Sequence, residues 1–412
     1  MPAFVDALAQ ITSYKEIEEV MRSADFHQSG APERRIFFAD TLIFAEGDRH
    51  AELKARFRSL MSREAMAYYE VRLLEPVIEE GLASLAGSRG ADGCVRVELV
   101  SLVRTMLHKI SAGVTGVDGV DTPERTERFA ALITQLSEAV SGQWTRRPTE
   151  ELIAEGRRAL DDLVREYLRP SLDRRLALGR AFAKGEVTSD ALPRDLLMTM
   201  CLADDIDLTG DDIRIPYVWR QCSLFLGASI HTTSQSVPHL IVHLDEWIRD
   251  HPEDRSRLTD PAFLRQAAME SLRLHQSSLA KFRVATKDIR LSSGRHVAAG
   301  ETVALLTTLA NRDPAVFGDD PDAFDPYRPR PAGQMPWGLT FGSGRHMCFG
   351  SNLVIGVAGK ADAKMGTDGT LVKIAKMLFD HGCRLDPDDR PVAATKTYLD
   401  AFDRVPVVFD RL

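Results

Sequence analysis

Apolar positions recur at helical spacing through most of the chain. YKEIEEVMRS (14–23), RHAELKARFRSLMS (49–62) and AMAYYEVRLLEPVIEEGLASLAG (65–87) each read as an amphipathic helix. Further helical patterns cover 97–116, 124–142, 149–183 and 193–202, punctuated by Pro and Gly. The longest low-charge stretch runs from 216 to 252, and its centre is apolar or hydroxylated almost all round, which predicts a helix crossing the protein interior. Another helix is predicted over 261–275. Beyond it DIRLSSGRHVAAGETVALL (288–306) alternates and turns at Gly, the pattern of a small β hairpin. The proline-rich stretch 311–340 predicts irregular coil, a broken helix should follow Cys348, and VPVVF near the C-terminus predicts a short strand. The expectation is a mainly α fold with a small β region.

That order excludes a doubly wound nucleotide fold, which needs regular alternation of strand and helix. No GxxxxGK[ST] stretch supports P-loop chemistry. No internal repeat, low-complexity tract or linker divides the 412 residues, so a single domain over 1–412 is expected. The formal net charge of −8 argues against a nucleic-acid partner. The N-terminus meets acids early and has no long apolar run, so neither a signal peptide nor a membrane anchor is expected there. Cys94, Cys201, Cys222, Cys348 and Cys383 are scattered, without CxxC pairs, which fits a disulfide-free cytoplasmic protein.

Cys348 stands apart in FGSGRHMCFG (341–350). A metal-binding thiolate must be accessible and held by donors. Gly342, Gly344 and Gly350 let the backbone turn tightly and aim N–H groups at sulfur, and a helix beginning after Cys348 would point its positive end the same way. Phe341 could shield one side, and Arg345 and His346 offer donors to an anionic group. On these residues alone a glycine-rich loop with an incidental buried cysteine stays open.

The order F-G-x-G-x-H-x-C-x-G closely resembles the haem-binding loop of the cytochrome P450 superfamily. Glu270-Ser-Leu-Arg273 resembles its E-x-x-R helix motif, and ANRDPAVFGDDPDAFDPYRP (310–329) is similar to the bacterial ANRDP segment. FRVAT (282–286) and 49–62 extend the resemblance over nearly the whole chain. It implies the cytochrome P450 fold, with haem b (iron protoporphyrin IX) bound and Cys348 as axial ligand of its iron. It also implies a structural network of Glu270, Arg273 and Arg328. Haem-binding residues are implied at His50, Arg283, Phe341, Gly344, His346 and Gly350, and at Lys54 where Arg is usual. For Lys54 a solvated helix face is an equal alternative.

Three departures from the family pattern stand out. Where the family has A-G-x-[Asp/Glu]-Thr-Thr, this chain reads Ala228-Ser229-Ile230-His231-Thr232-Thr233. The alcohol is kept as Thr232, while His231 replaces the acid of the pair that delivers protons during oxygen activation. His231 is a proton relay, a substrate contact or a structural histidine, and the catalytic pair expected is His231 and Thr232. Second, the resemblance begins near Tyr14, so the usual N-terminal helix and strands are expected to be lacking. Third, the helix after Cys348 carries glycines at 356, 359, 366 and 369, and TDG (367–369) marks an inserted turn near the expected electron-donor face.

The implied protein is a haem-thiolate monooxygenase acting on a small organic molecule of secondary metabolism. Its electrons would come from NAD(P)H through a ferredoxin reductase and a ferredoxin, with Arg56, Arg58 and Arg345 as a basic docking face. A monomer is expected. The substrate pocket is expected at Ala228, Ser229, Leu279, Phe282 and Tyr398. Two alternatives remain: an atypical enzyme using peroxide or an already oxidised N–O or O–O substrate, and a non-catalytic haem-binding sensor.

Overall fold

A computed structural model describes residues 1–30, 34–203, 215–329, 333–357 and 366–412. It is mainly helical, with eleven short strands: β1 (Ala9–Ile11), β2 (Phe26–Ser29), β3 (Val95–Glu98), β4 (Lys281–Ala285), β5 (Ile289–Arg290), β6 (His296–Val297), β7 (Thr302–Leu305), β8 (Cys383–Leu385), β9 (Val392–Ala393), β10 (Phe402–Arg404) and β11 (Pro406–Phe409). Two compact units emerge. One comprises Met1–Gly30, Leu74–Val103 and Thr232–Leu412, the other Ala31–Leu73 and Arg104–His231.

The first unit holds every one of these strands. Its main sheet has the order β1-β7-β4-β2, with β1 parallel to β7 and the other pairs antiparallel. Register sets Arg283 opposite Val303 on one side and Gln28 on the other. Helix Tyr14–Arg22 packs on this sheet because Tyr14, Ile17, Val20 and Met21 fall on one face and are all buried beside Val303, Leu305 and Leu339. The expected hairpin is the β5–β6 pair, followed by β7. VPVVF forms β11, between β3 and β8.

Among its described residues the second unit has helices and no strand. Caps set several of its boundaries: Thr122 accepts from the Arg125 N–H before Pro123–Val140, and Asp195 accepts from the Met198 N–H before Leu196–Cys201. Two predicted helices are interrupted by π turns, at Glu70–Leu74 and Val164–Leu168.

Helix Ile215–Asp250 is continuous, with Pro238 inside it. Helix Pro261–Leu274 begins on Asp260, whose carboxylate accepts from the Ala262 N–H. The proline-rich stretch is largely irregular, with short helices at Thr307–Ala310 and Pro314–Phe317, and 330–332 within it lie outside the described residues. Among the described residues no helix is long and apolar enough to cross a membrane. All five cysteines are free thiols.

Candidate functional site

The Cys348 loop is shaped by backbone demands that only glycine meets. The Cys348 N–H donates to Phe341 O at 2.7 Å, closing the turn. Gly342 and Gly344 sit at φ 73° and 70°, the left-handed region. A Cβ on Gly344 would come within 2.6 Å of Met21 O, so this residue also lets the loop lie against helix Tyr14–Arg22. Arg22 Nε adds a 3.0 Å bond to Ser343 Oγ. Around Gly350 a Cβ would meet nothing within 4 Å, which leaves open space beside the sulfur's own strand of chain.

Solvent reaches Cys348 even though protein crowds the sulfur. That crowding raises the thiol pKa. The Gly350 N–H, the Lys281 ammonium and the Ser351 N–H pull the other way and do not overcome it. Without a ligand the group is therefore a thiol at neutral pH, and metal ligation takes the proton off. Phe341 and His346 are both half-buried in the same loop, with His346 ending the helical turn Gly344–His346.

Strand β4 brings two cations to this loop's side of the sheet. Lys281 Nζ donates to Thr340 O at 3.1 Å, and burial lowers its pKa to about 8, with Arg283 adding to the effect and Cys348 opposing it. Arg283 is buried and donates to Gln28 Oε1 and to Phe282 O. Side chains alternate along a strand, so Phe282 faces the other way, and its ring lies 5.7 Å from that of Phe4. Leu279, half-buried, leads into the strand. No motif in the sequence marks Lys281; its only signal there is the two-residue step from Arg283 along a strand.

Glu270, Arg273 and Arg328 are brought together in one network. Arg273 grips Glu270 with a fork, Nη2 to Oε1 at 2.7 Å and Nε to Oε2 at 2.8 Å, and Arg328 Nε reaches Oε1 at 2.8 Å. The remaining guanidinium N–H groups go to backbone carbonyls of Asn311, Pro321, Phe317, Asp320 and Ala323. Asn311 also extends the network. Its Nδ2 donates to Arg273 O and Thr340 Oγ1, and its Oδ1 accepts from the Leu339 N–H at 2.7 Å. Helix Pro261–Leu274 is thereby tied to the chain entering the cysteine loop.

Along helix Ile215–Asp250 the mostly buried surface opens at Ala228, which is exposed, with Ser229, His231 and Thr232 half-buried. Ser229 Oγ donates back to Phe225 O at 2.7 Å and lies 2.8 Å from Ser111 Oγ. The hydroxyl is thus engaged with its own unit. Burial, aided by Arg104, lowers His231 to about 4, so its imidazole is neutral at pH 7. Thr232 follows it, and its carbonyl accepts from Ser236 Oγ at 3.1 Å. His50 is buried on helix Gly47–Arg56, and Lys54 lies half-buried one turn later. Tyr398 is half-buried between β9 and β10.

The helix after Cys348 is short. Ser351–Ile355 stops at Gly356 (φ 71°), a bridge pairs Val357 with Thr367, and helix Gly369–Asp380 starts at φ 76°. A Cβ on Gly369 would lie 2.1 Å from Gly356 N, so the two ends of the insertion touch backbone to backbone. Residues 358–365 of the inserted turn lie outside the described residues. Arg265 spans the neck, donating to Ile355 O, to Thr367 O at 2.7 Å and to Asp368 Oδ1 at 3.4 Å.

The donor set fits a haem iron: a solvent-reachable sulfur in a glycine-shaped loop, backbone N–H groups acting on it, and a half-buried lysine and a buried arginine on the adjoining strand. Comparison with known proteins agrees. The sequence model of the family described as Cytochrome P450 matches residues 9–355. The chain is 26% identical over 377 residues to a C-19 steroid 1alpha-hydroxylase of Sorangium cellulosum, covering 89% of this chain and 81% of that protein. A biotin biosynthesis cytochrome P450 of Bacillus subtilis is 36% identical over 134 residues, covering 32% of this chain and 31% of that protein. Among solved structures, CalO2 superposes with a TM-score of 0.69 at 22% identity, covering 98% of this chain and 90% of that one. P450BioI, solved with a fatty-acyl acyl carrier protein, gives 0.68 at 19%, covering 97% and 92%.

Proposed function

The chain belongs to the cytochrome P450 family and is a monooxygenase enzyme, and from that premise we propose that it inserts oxygen into a small, mostly apolar intermediate of secondary metabolism. The observation that carries this reading is Cys348, held reachable in a loop that the Glu270–Arg273–Arg328 network braces. Haem, when bound, supplies iron that activates dioxygen for insertion of one oxygen atom into a C–H bond.

The protein's own residues then divide the work. Cys348 would hold the haem iron, and the Gly350 and Ser351 N–H groups and Lys281 favour its anionic form. Arg283, His50, His346 and Lys54 are the proposed partners of the haem carboxylates, with Phe341, Gly344 and Gly350 shaping the cysteine side. Ala228, Ser229, Leu279 and Tyr398 are the proposed substrate contacts. Phe282 is proposed with them, its ring 5.7 Å from that of Phe4. Thr232 holds the hydroxyl that passes protons inward. His231, neutral at pH 7, offers one N–H and one lone pair, so it hands a proton on by taking one at one nitrogen and releasing one from the other. The 412 residues work as one cytoplasmic domain, a monomer fed by NAD(P)H through a ferredoxin-type partner.

The neutral His231 favours a second reading, peroxide-driven turnover, since such an imidazole accepts the proton of a hydroperoxide. One experiment separates the two. Wild type and Thr232→Ala are run on steroid and macrolide panels under ¹⁸O₂ with ferredoxin and reductase. Product carrying ¹⁸O, with Thr232→Ala consuming NAD(P)H but forming at least about tenfold less product, supports oxygen insertion through Thr232. Turnover by peroxide alone, indifferent to reductase, contradicts it.

A further inference from the structure

Three side chains outside the proposed haem site converge at one point of the strand-bearing unit. His239 comes from helix Ile215–Asp250, His275 follows helix Pro261–Leu274, and Asp400 stands just before β10. Their ligand-type atoms all lie within 4.8 Å of one another. The imidazoles of His239 and His275 are stacked, centroids 4.0 Å apart and planes within 15°. His239 Nε2 lies 3.1 Å from Asp400 O, and His275 Nδ1 lies 2.5 Å from Asp400 Oδ2.

That last contact pairs the His275 imidazole with the Asp400 carboxylate. At that distance the imidazole N–H points a proton at the carboxylate, and a divalent cation can take the place of that proton between the two groups. His243, one turn on from His239, bonds Ser271 Oγ at 3.1 Å and stacks on Phe324, packing behind His275 rather than joining the donors.

We propose that His239, His275 and Asp400 bind one divalent transition-metal ion, with zinc the ion this ligand set suits best. Two imidazoles and one carboxylate leave a fourth position for water on the exposed Asp400 side, the donor set of an open zinc site. Loading the ion moves Asp400 and His275 to the roughly 3.3 Å separation of neighbouring tetrahedral ligands at about 2.0–2.1 Å from the metal, and tilts the stacked rings apart. Asp400 is free to make that movement because its side chain is largely exposed. The ion ties two helices to the β9–β10 hairpin, whose loop carries Tyr398, so it stiffens that hairpin.

The test uses tag-free, haem-loaded protein stripped of metal and titrated calorimetrically with zinc chloride. The expected result is saturable binding of one Zn²⁺ per chain, at least tenfold weaker in Asp400→Asn and in His275→Gln, with the haem absorption unchanged in all three proteins. X-ray absorption of zinc-loaded wild type should show nitrogen and oxygen neighbours only. The proposal is overturned if wild type shows no saturable binding, if both variants bind as tightly as wild type, or if the zinc is found on sulfur.

Discussion

Arg273 is wholly buried, and its guanidinium is committed to Glu270 and to the carbonyls of Asn311 and Pro321. Removing it strands the Glu270 carboxylate with only Arg328 and a long bond from the Asp325 N–H. Arg273→Ala should therefore cost about 3–5 kcal/mol, the penalty for leaving a buried charge without its partner, read as a lower denaturant midpoint and a reduced haem content. Arg273→Lys should recover little, because a single ammonium cannot replace the fork. The motif residues were legible because their spacing of three puts Glu270 and Arg273 on one helix face. Asn311 was not, since its bonds reach back to Arg273 and forward to Leu339 and Thr340, and nothing local marks them. The same holds for His239, His275 and Asp400, which the sequence keeps far apart. For His231 the sequence left charge open, and burial decides it in favour of the neutral form.

At the scale of elements, the inserted turn after Cys348 is the departure with most structure behind it. Gly356 and Gly369 were visible in the sequence as helix-breaking residues, and their left-handed backbones and mutual contact explain why glycine stands at both. Arg265 was not visible as their partner, because it sits on a helix ninety residues earlier in the chain. Its charged hydrogen bonds to the neck should contribute about 1.5–3 kcal/mol each at most. Arg265→Ala should open the neck, so that limited proteolysis cuts between 356 and 369 several times faster than in wild type. Unchanged cleavage would mean that Gly356 and Gly369 hold the neck alone. The long helices were readable from periodicity, whereas β1, β2 and β4, three to five residues each, owe their existence to partners such as β7, hundreds of residues away from β1.

At the scale of the whole molecule, buried histidines set how the fold meets acid. His108 donates from Nδ1 to Arg104 O at 2.6 Å, and burial lowers its pKa to about 4; His231 is lowered to a similar value. Both ordinary values lie near 6.5, so the unfolded chain binds more protons than the folded one between about pH 6.5 and 4. Their contribution to stability is complete above that window and is lost as pH falls through it, by up to about 1.4 kcal/mol per pH unit for each histidine. Urea midpoints from pH 7 to 4.5 should fall, and should fall less steeply in His108→Gln.

Ligation of iron by Cys348 as a thiolate is tested most directly by the absorption spectrum of the reduced protein under carbon monoxide. A strongly red-shifted band, lost in Cys348→His, is the predicted result. An unshifted band of the imidazole or thiol type in wild type would contradict it, and with it the assignment of oxygen insertion to this site.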